Sequence, residues 1–431
     1  MKKIFTLLII VILTAYIQCI YAQGGYDGKL GYGFSPKGHP LDYSLMSDFL
    51  DEVAGTCDGG VVLANGSWRE SFSSSGLIPG FQRTISLLQP APYAYTDMLV
   101  FGWGSPTTPY TLYLDVPGNA TNNWTNNTAR TLFLQMLTHA ADSLQPAYLF
   151  IGNEISFYWA QDSTDYLNWV DFYYDAYDSI KVHSPSTQIG TVFNYEHLSG
   201  KGVQIGWNTP YWNSLLAFDT SKIDILGLTV YPFFSYPTAN DIPTNYLDPV
   251  FSIMGNKPIA ITETGWPSDS LLANWYCSPQ QQVDYVNKLF TLIDGHNVDV
   301  VNWLFLYYLM DTSTDENKLC ASISMHDSMG NAQPALPVWL SYCINAGVIE
   351  NTEGDSNTEV ELFPNPASDL LSIQAPLKSE IEIFNMERQS MKQTLARNIT
   401  TTLDVSGFAP GMYFAKVKCG EGIVVKKFIK Q

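Results

Sequence analysis

The chain has 431 residues, 46% of them hydrophobic, and a formal net charge of −19; that length exceeds one ordinary domain but accommodates a barrel of about 250 residues or more with a small appendage. The acidity lies in the larger part, since residues 23–346 carry 11 Lys and Arg against 30 Asp and Glu, whereas residues 359–431 carry 9 against 8. Such a surface repels phosphate backbones and anionic lipids, which excludes nucleic acid as a partner and favours a neutral substrate.

Residues 1–22 begin with Lys2 and Lys3, continue in an uncharged run over 4–13 and end in Ile20-Tyr21-Ala22, the pattern of an export signal peptide. The run is short and is followed by Gln18, and no later segment is long and apolar enough to span a bilayer. Cys19 lacks the small residues that precede a lipidated cysteine. The expectation is an exported monomer with no membrane insertion.

Short apolar or β-branched runs then alternate with stretches of helical period. Strands are expected near 30–34, 60–64, 97–102, 147–152, 188–193, 223–230, 258–263 and 298–305. Between them lie helical patterns such as Leu132, Phe133, Met136, Leu137, Ala140 and Leu144, or Val283, Val286, Leu289, Phe290 and Ile293 after the N-cap signal Ser278-Pro279. Eight such units, with strands too apolar to have a wet face, predict an α/β fold: a (β/α)8 TIM barrel over 23–347. An open doubly wound sheet is the alternative. It wants a glycine-rich phosphate turn after the first strand, and Gly31 and Gly33 lie inside that strand without the spacing.

A barrel carries its chemistry at the C-terminal ends of its strands. Glu154, in Gly152-Asn153-Glu154, follows the fourth strand, and Glu263, in Thr262-Glu263-Thr264-Gly265-Trp266, ends the seventh. Both therefore face one mouth, where two carboxyl groups can divide acid and nucleophile roles across a glycosidic bond. At about 5 Å separation, like-charge repulsion pushes their titrations apart. Tyr231, ending the sixth strand, is expected to donate its hydroxyl to Glu263. Each glutamate alone reads as a helix cap or loop carboxylate; together, on strands four and seven, they are far more specific. Aromatic residues Trp103, Tyr158, Trp159, Tyr231, Phe233, Tyr236, Trp266, Trp275 and Trp303 stand at strand ends or in the loops beyond and offer faces for sugar stacking. Trp159 and Trp266 are the stronger candidates for substrate contact, while filling the barrel is an equal alternative for Trp303. His39, His197 and Asn194 are weaker polar candidates.

No cysteine lies in a zinc-like arrangement, and no histidines have metal spacing, so neither metal nor other cofactor is expected. The topology pairs Cys277 with Cys320, in the loops after strands seven and eight, and Cys57 with Cys343, at the opposite rim. Residues 348–358 are polar and read as a linker. Alternating segments at 370–373, 381–384, 402–405, 412–417 and 422–429, with turns at Asn365-Pro366 and Pro410-Gly411, predict a small all-β sandwich over 359–431. A carbohydrate-binding module is the rival there, but this tail has no Trp and one Tyr, a poor stock for a stacking surface.

Phe363-Pro364-Asn365-Pro366-Ala367, Leu403-Asp404-Val405-Ser406, Gly411-Met412-Tyr413 and Lys426-Lys427-Phe428 make this tail resemble the C-terminal sorting domain of Bacteroidetes proteins exported by the type IX secretion system. The resemblance implies a partnership with that machinery, and release or attachment at the outer cell surface.

The barrel, through Asn153-Glu154 and Glu263, resembles the clan A glycoside hydrolases, retaining (β/α)8 enzymes with an Asn-Glu pair after strand four and a Glu ending strand seven. The resemblance implies a polysaccharide or oligosaccharide substrate, Glu154 as general acid and base, Glu263 as nucleophile, Asn153 on the sugar 2-hydroxyl, and Trp303 beneath the cleavage subsite. The strings at 151–155 and 224–232 are similar to endo-β-1,4-galactanases, whereas Glu263-Thr264-Gly265-Trp266-Pro267-Ser268 is similar to plant-type β-1,3-glucanases. Many clan members carry an arginine at the end of strand two; Val61-Val62-Leu63-Ala64-Asn65 has none, and Arg69 is the nearest substitute. The expectation is a secreted retaining β-glycoside hydrolase, endo-acting on galactan or β-glucan. The alternatives are a non-catalytic glycan-binding barrel and a structural surface protein without an aromatic cleft.

Overall fold

The computed structural model describes residues 26–36, 45–56, 59–67, 95–104, 112, 122–269, 276–308, 315–344, 360–385, 390–409, 411–419 and 422–430. The expected export signal and linker fall outside these. Two compact units are present, one of Gly28–Val338 and one of Met1–Asp27 with Trp339–Gln431.

The larger unit is built on a parallel sheet of nine segments: β1 (Lys29–Gly33), β2 (Val61–Ser67), β3 (Thr96–Gly102), β4 (Tyr148–Ile151), β5 (Gln188–Gly190), β6 (Val192–Asn194), β7 (Leu226–Val230), β8 (Ile259–Thr264) and β9 (Val298–Trp303). Their order is β5-β4-β3-β2-β1-β9-β8-β7-β6. The two ends of that order are consecutive in sequence. The expected fifth strand is broken at Thr191, with β5 paired to β4 and β6 paired to β7, while Gly227 N donates to Thr191 O at 3.0 Å. Nine segments thus make eight staves of a nearly closed barrel, in which β7, β8 and β9 are staves six, seven and eight. The fifth is split because the chain must exchange one neighbour for the other within seven residues.

The barrel interior is filled from most staves by Val61, Leu63, Met98, Val100, Tyr148, Phe150, Val192, Ile225, Ala260 and Val300. Asn302 on β9 donates to the Met98 sulfur on β3 at 3.6 Å, a contact that crosses the lumen because β1 and β2 lie between those strands in the sheet. Phe150 takes its space from neighbouring glycines: a Cβ at Gly190 or Gly227 would sit 3.1 or 3.0 Å from its ring. Around the sheet, helices begin where side chains cap free amides. Asn126 accepts from Ala129 N, Asp162 from Thr164 N and Asp165 N, and Ser278, with Pro279 behind it, from Gln281 N.

In the C-terminal unit, antiparallel strands Glu361–Phe363, Leu370–Gln374 and Thr400–Asp404 form one sheet, and Ser390–Leu395, Glu380–Asn385, Gly411–Cys419 and Gly422–Lys430 another. Alternate residues, among them Leu371, Ile373, Ile381, Ile383, Ala415, Val417 and Phe428, form a shared core, as the period-two pattern requires. The first and fourth strands in chain order were not legible, the former being three residues long and the latter having mostly exposed side chains.

Truncating Phe150 leaves a void that rigid staves cannot collapse into. Phe150→Ala is expected to cost about 3–5 kcal/mol, read as a lower urea midpoint of the barrel transition.

Candidate active site

Glu154 leaves β4 through a turn that begins at Gly152. Gly152 has φ +93°, and a Cβ there would lie 2.4 Å from two ring carbons of Trp103, so no other residue fits. Gly152 N donates to Phe101 O at 2.7 Å and Ile155 N to Val192 O at 3.1 Å, which ties the turn to β3 and β6. Glu154 itself has φ +51°. That left-handed conformation costs a non-glycine residue on the order of 1–3 kcal/mol and persists where its surroundings over-determine it. Here they do: the buried carboxyl accepts at Oε1 from Asn194 Nδ2 at 2.9 Å and from Thr229 Oγ1 at 2.6 Å. Both bonds fall on one oxygen, which leaves Oε2 for a proton or a ligand.

Glu263 reaches the same space through a β-bulge. Leu228 is in register with Ile261, but Thr229 with Glu263, so Thr262 is an extra residue in β8. Glu263 therefore takes the face of Thr229, whose hydroxyl touches Glu154. Regular pairing would put it opposite Val230, on the other face of the sheet. The Tyr231 hydroxyl donates to Glu263 Oε2 at 3.1 Å, the bond the sequence leads one to expect.

Burial first, and the Glu154 charge second, push Glu263 up to about 7, against the lowering effect of the Tyr231 hydroxyl. Among the described residues no cation acts on it; Arg69 lies outside them. Burial and the facing like charge thus favour the protonated form of Glu263. Burial first, and the Glu263 charge second, hold the Tyr231 hydroxyl well above its ordinary range, so it remains a donor. Beside Glu154, the Asn153 Oδ1 is buried and has no partner among the described residues, an unused acceptor at the mouth.

The sequence reading missed several neighbours. Thr229 sits mid-strand and gains meaning only from the Glu154 contact. Asn194, a weak candidate, is central: its Oδ1 caps the helix Tyr195–Ser199 while its amide holds Glu154. On that helix Glu196 is fully buried, accepts from the Tyr246 hydroxyl at 2.9 Å, and is raised to about 7 chiefly by burial. His197 is stacked between Phe157 and Tyr211, and burial lowers it to about 4, so it is neutral.

Three expected substrate contacts prove to be core. Trp103 is 5% exposed and packs on Trp169 and Trp124, 3.8 and 5.3 Å between centroids. Trp266 is fully buried between Phe233 and Tyr285, with its N–H on Tyr276 O. Trp303 is fully buried, with its N–H on Ile323 O. Rings so enclosed present no face to a sugar. Trp159 is half-buried, edge-on to Tyr166 at 5.1 Å. The expected Cys277–Cys320 bond is also corrected, since the two are not joined as a disulfide; Cys320 lies instead in the neighbourhood of Tyr231. Cys343 is disulfide-bonded, while its expected partner Cys57, like His39 and Trp275, falls outside the described residues.

Residues 361–431 match the family described as the secretion system C-terminal sorting domain. This tail marks the chain for export and attachment at the cell surface, and among the described residues no helix is long and apolar enough to cross a membrane. No curated protein matches the chain by sequence. Among solved structures, it is similar to a GH5_18 variant from Streptomyces cattleya in complex with Manβ1-4GlcNAc, at TM-score 0.58 and 12% identity over 75% of this chain and 82% of that one. An exo-β-1,4-mannosidase from Opitutaceae bacterium strain TAV5 matches at TM-score 0.55 and 13% identity, over 75% and 61%. A fungal β-1,4-galactanase structure matches at 0.51 and 17%, over 72% and 98%. The chain spans about half the length, 45% and 46%, of two Bacteroides uniformis β-glucuronidase 2 structures that it also matches. The first three likenesses establish the barrel fold.

A carboxyl group raised from its ordinary value to about 7 binds its proton more tightly in the folded chain than in the unfolded one. Stability is therefore lost as pH rises through that window. Glu263→Gln removes the loss: its Tm is expected to match the wild type near pH 5 and to exceed it by a few degrees at pH 8, measured by scanning calorimetry.

Proposed function

We propose that the chain is a secreted retaining β-glycoside hydrolase, endo-acting on a neutral polysaccharide such as galactan or β-glucan. Glu154 is the general acid and base, and Glu263 the nucleophile. The observation that carries this reading is the unequal furnishing of two carboxyl groups that share one mouth. Glu154 has its Oε1 taken by two donors, so Oε2 is the oxygen that carries the proton. Glu263 has its Oε2 taken by Tyr231, so Oε1 is the oxygen that attacks.

In the first step Glu154 gives its proton to the glycosidic oxygen, the bond from that oxygen to the anomeric carbon breaks, and Glu263 forms a bond to the carbon. In the second, Glu154 takes a proton from water, whose oxygen displaces Glu263. The reaction requires a proton on Glu154 when substrate arrives. Sugar hydroxyls facing Glu263 favour its anion, and Asn153 Oδ1, buried and without a partner among the described residues, accepts from the 2-hydroxyl. No cofactor enters either step. Trp159 remains the candidate sugar contact among the tryptophans first singled out.

A second reading, a barrel that captures glycan without cleaving it, draws support from the burial that raises Glu263 to about 7, with no cation acting on it among the described residues. Turnover on a panel of galactans, glucans, mannans and xylans separates the two. Glu154→Gln is expected to slow the natural polysaccharide about 10²- to 10⁴-fold while sparing substrates with good leaving groups. Glu263→Ala is expected to abolish turnover, with partial rescue by azide. Hydrolysis that survives Glu263→Ala without azide removes that residue from its role; a wild-type chain that binds a glycan and cleaves none supports capture.

A further inference from the structure

With the strand-end tryptophans enclosed, the half-exposed aromatic surface lies elsewhere, on the loop after the fifth stave. Trp207 is half-buried. Its ring stands edge-on to Phe157, 4.9 Å between centroids, and to His197 at 5.6 Å. Phe157 lies three residues beyond Glu154. On its other flank Trp207 meets Phe234 at 5.5 Å, itself half-buried and 6.2 Å from Tyr231, the donor to Glu263. Trp207 thus touches the Glu154 segment directly through Phe157, whereas Glu263 is reached only through two further rings, Phe234 and then Tyr231.

The loop is built rather than loose. Lys201 N and Gly202 N donate to Glu196 O at 2.9 and 3.2 Å, Trp207 N to Gly202 O at 2.9 Å, and Tyr211 N to Leu198 O at 2.8 Å. A Cβ at Gly202 would come within 2.9 Å of the Trp207 side chain, so the ring lies against bare backbone. Exposed Asn208 adjoins it, offering an amide that can both donate and accept. A rigid indole partly open to solvent, next to an amide and continuous with a catalytic mouth, is the chemistry that receives a pyranose ring by its C–H face and hydroxyls.

We propose that Trp207, backed by Phe157 and Phe234, forms a subsite for a sugar on the leaving-group side of the cleaved bond. The side follows from the contacts: the leaving oxygen must adjoin the proton donor, and the segment of Glu154 is the one that Trp207 touches through a single ring. This inference rests on the roles proposed above for Glu154 and Glu263.

Galactan- and β-glucan-derived oligosaccharides of three to six sugars, and the matching glycosyl fluorides, test it on the full chain. The fluoride leaving group carries no ring, so it cannot use the subsite. Trp207→Ala is expected to raise KM for the oligosaccharides about tenfold, to change kcat less than twofold, and to leave the fluorides unaffected, with Trp207→Phe recovering much of the loss. Trp207→Leu, which keeps bulk without an aromatic face, gives the same reading if the alanine variant does not fold. An unchanged KM overturns the subsite while wild-type hydrolysis leaves the proposed function standing; an equal effect on the fluorides overturns the assignment to the leaving side. Binding followed by tryptophan fluorescence reads the surface without turnover. Affinity about tenfold weaker in the variant supports it, equal affinity overturns it, and a wild-type chain that binds none of these sugars overturns it together with the function it rests on.

Discussion

Two carboxyl groups in one enclosed mouth cannot both be ionised cheaply, and the local architecture around them answers to that repulsion. Desolvation and the opposing charge raise Glu263, while Tyr231 pulls the other way. Glu154 meets the same problem with two neutral donors on a single oxygen. Neutral donors stabilise a charge without fixing where the proton must be, as an adjacent arginine would. Among the described residues, the pair is thus tuned by hydroxyl and amide dipoles drawn from staves five and six.

Much of this was legible in the chain because a buried parallel strand advertises itself: four to seven apolar residues, a glycine or polar break, then a helical period. The staves and both glutamates follow from that pattern, and the Tyr231 bond follows from strand adjacency. The β8 bulge does not. Residues 259–264 read as an unbroken run, and strict alternation from Ala260, which faces the lumen, would send Glu263 outward; a single extra residue, invisible in composition, turns it inward. Thr191 is the same kind of event in the fifth stave.

Aromatic residues mislead for a different reason. A tryptophan at a strand end is equally suited to a cleft and to the space between sheet and helices, and exposure is decided by what packs over it. Trp103 joins Trp124, Trp169 and Phe172 in a cluster fed by the helices Asn127–Leu144 and Ser163–His183, residues distant in sequence. Trp207 stands in a loop with no period at all, where nothing short of the tertiary contacts sets it apart from its neighbours.

Both glutamates lie where regular structure is broken, one in a left-handed turn and the other beside a bulge. The breaks have a common cause. Inside the barrel, alternation must send every second side chain inward to fill space, and that rule is satisfied mainly by apolar residues, with Asn302 among the exceptions. At the mouth the same chain must bring two acids inward against their preference for water. Regular geometry offers no way to do both within one strand, so the departures sit at the boundary between layers. Their cost, on the order of a few kcal/mol in total, is sustainable because the staves below are locked on both sides. A closed barrel supplies that support to every stave at once, whereas an open sheet would leave its edge strands free to relax the strain.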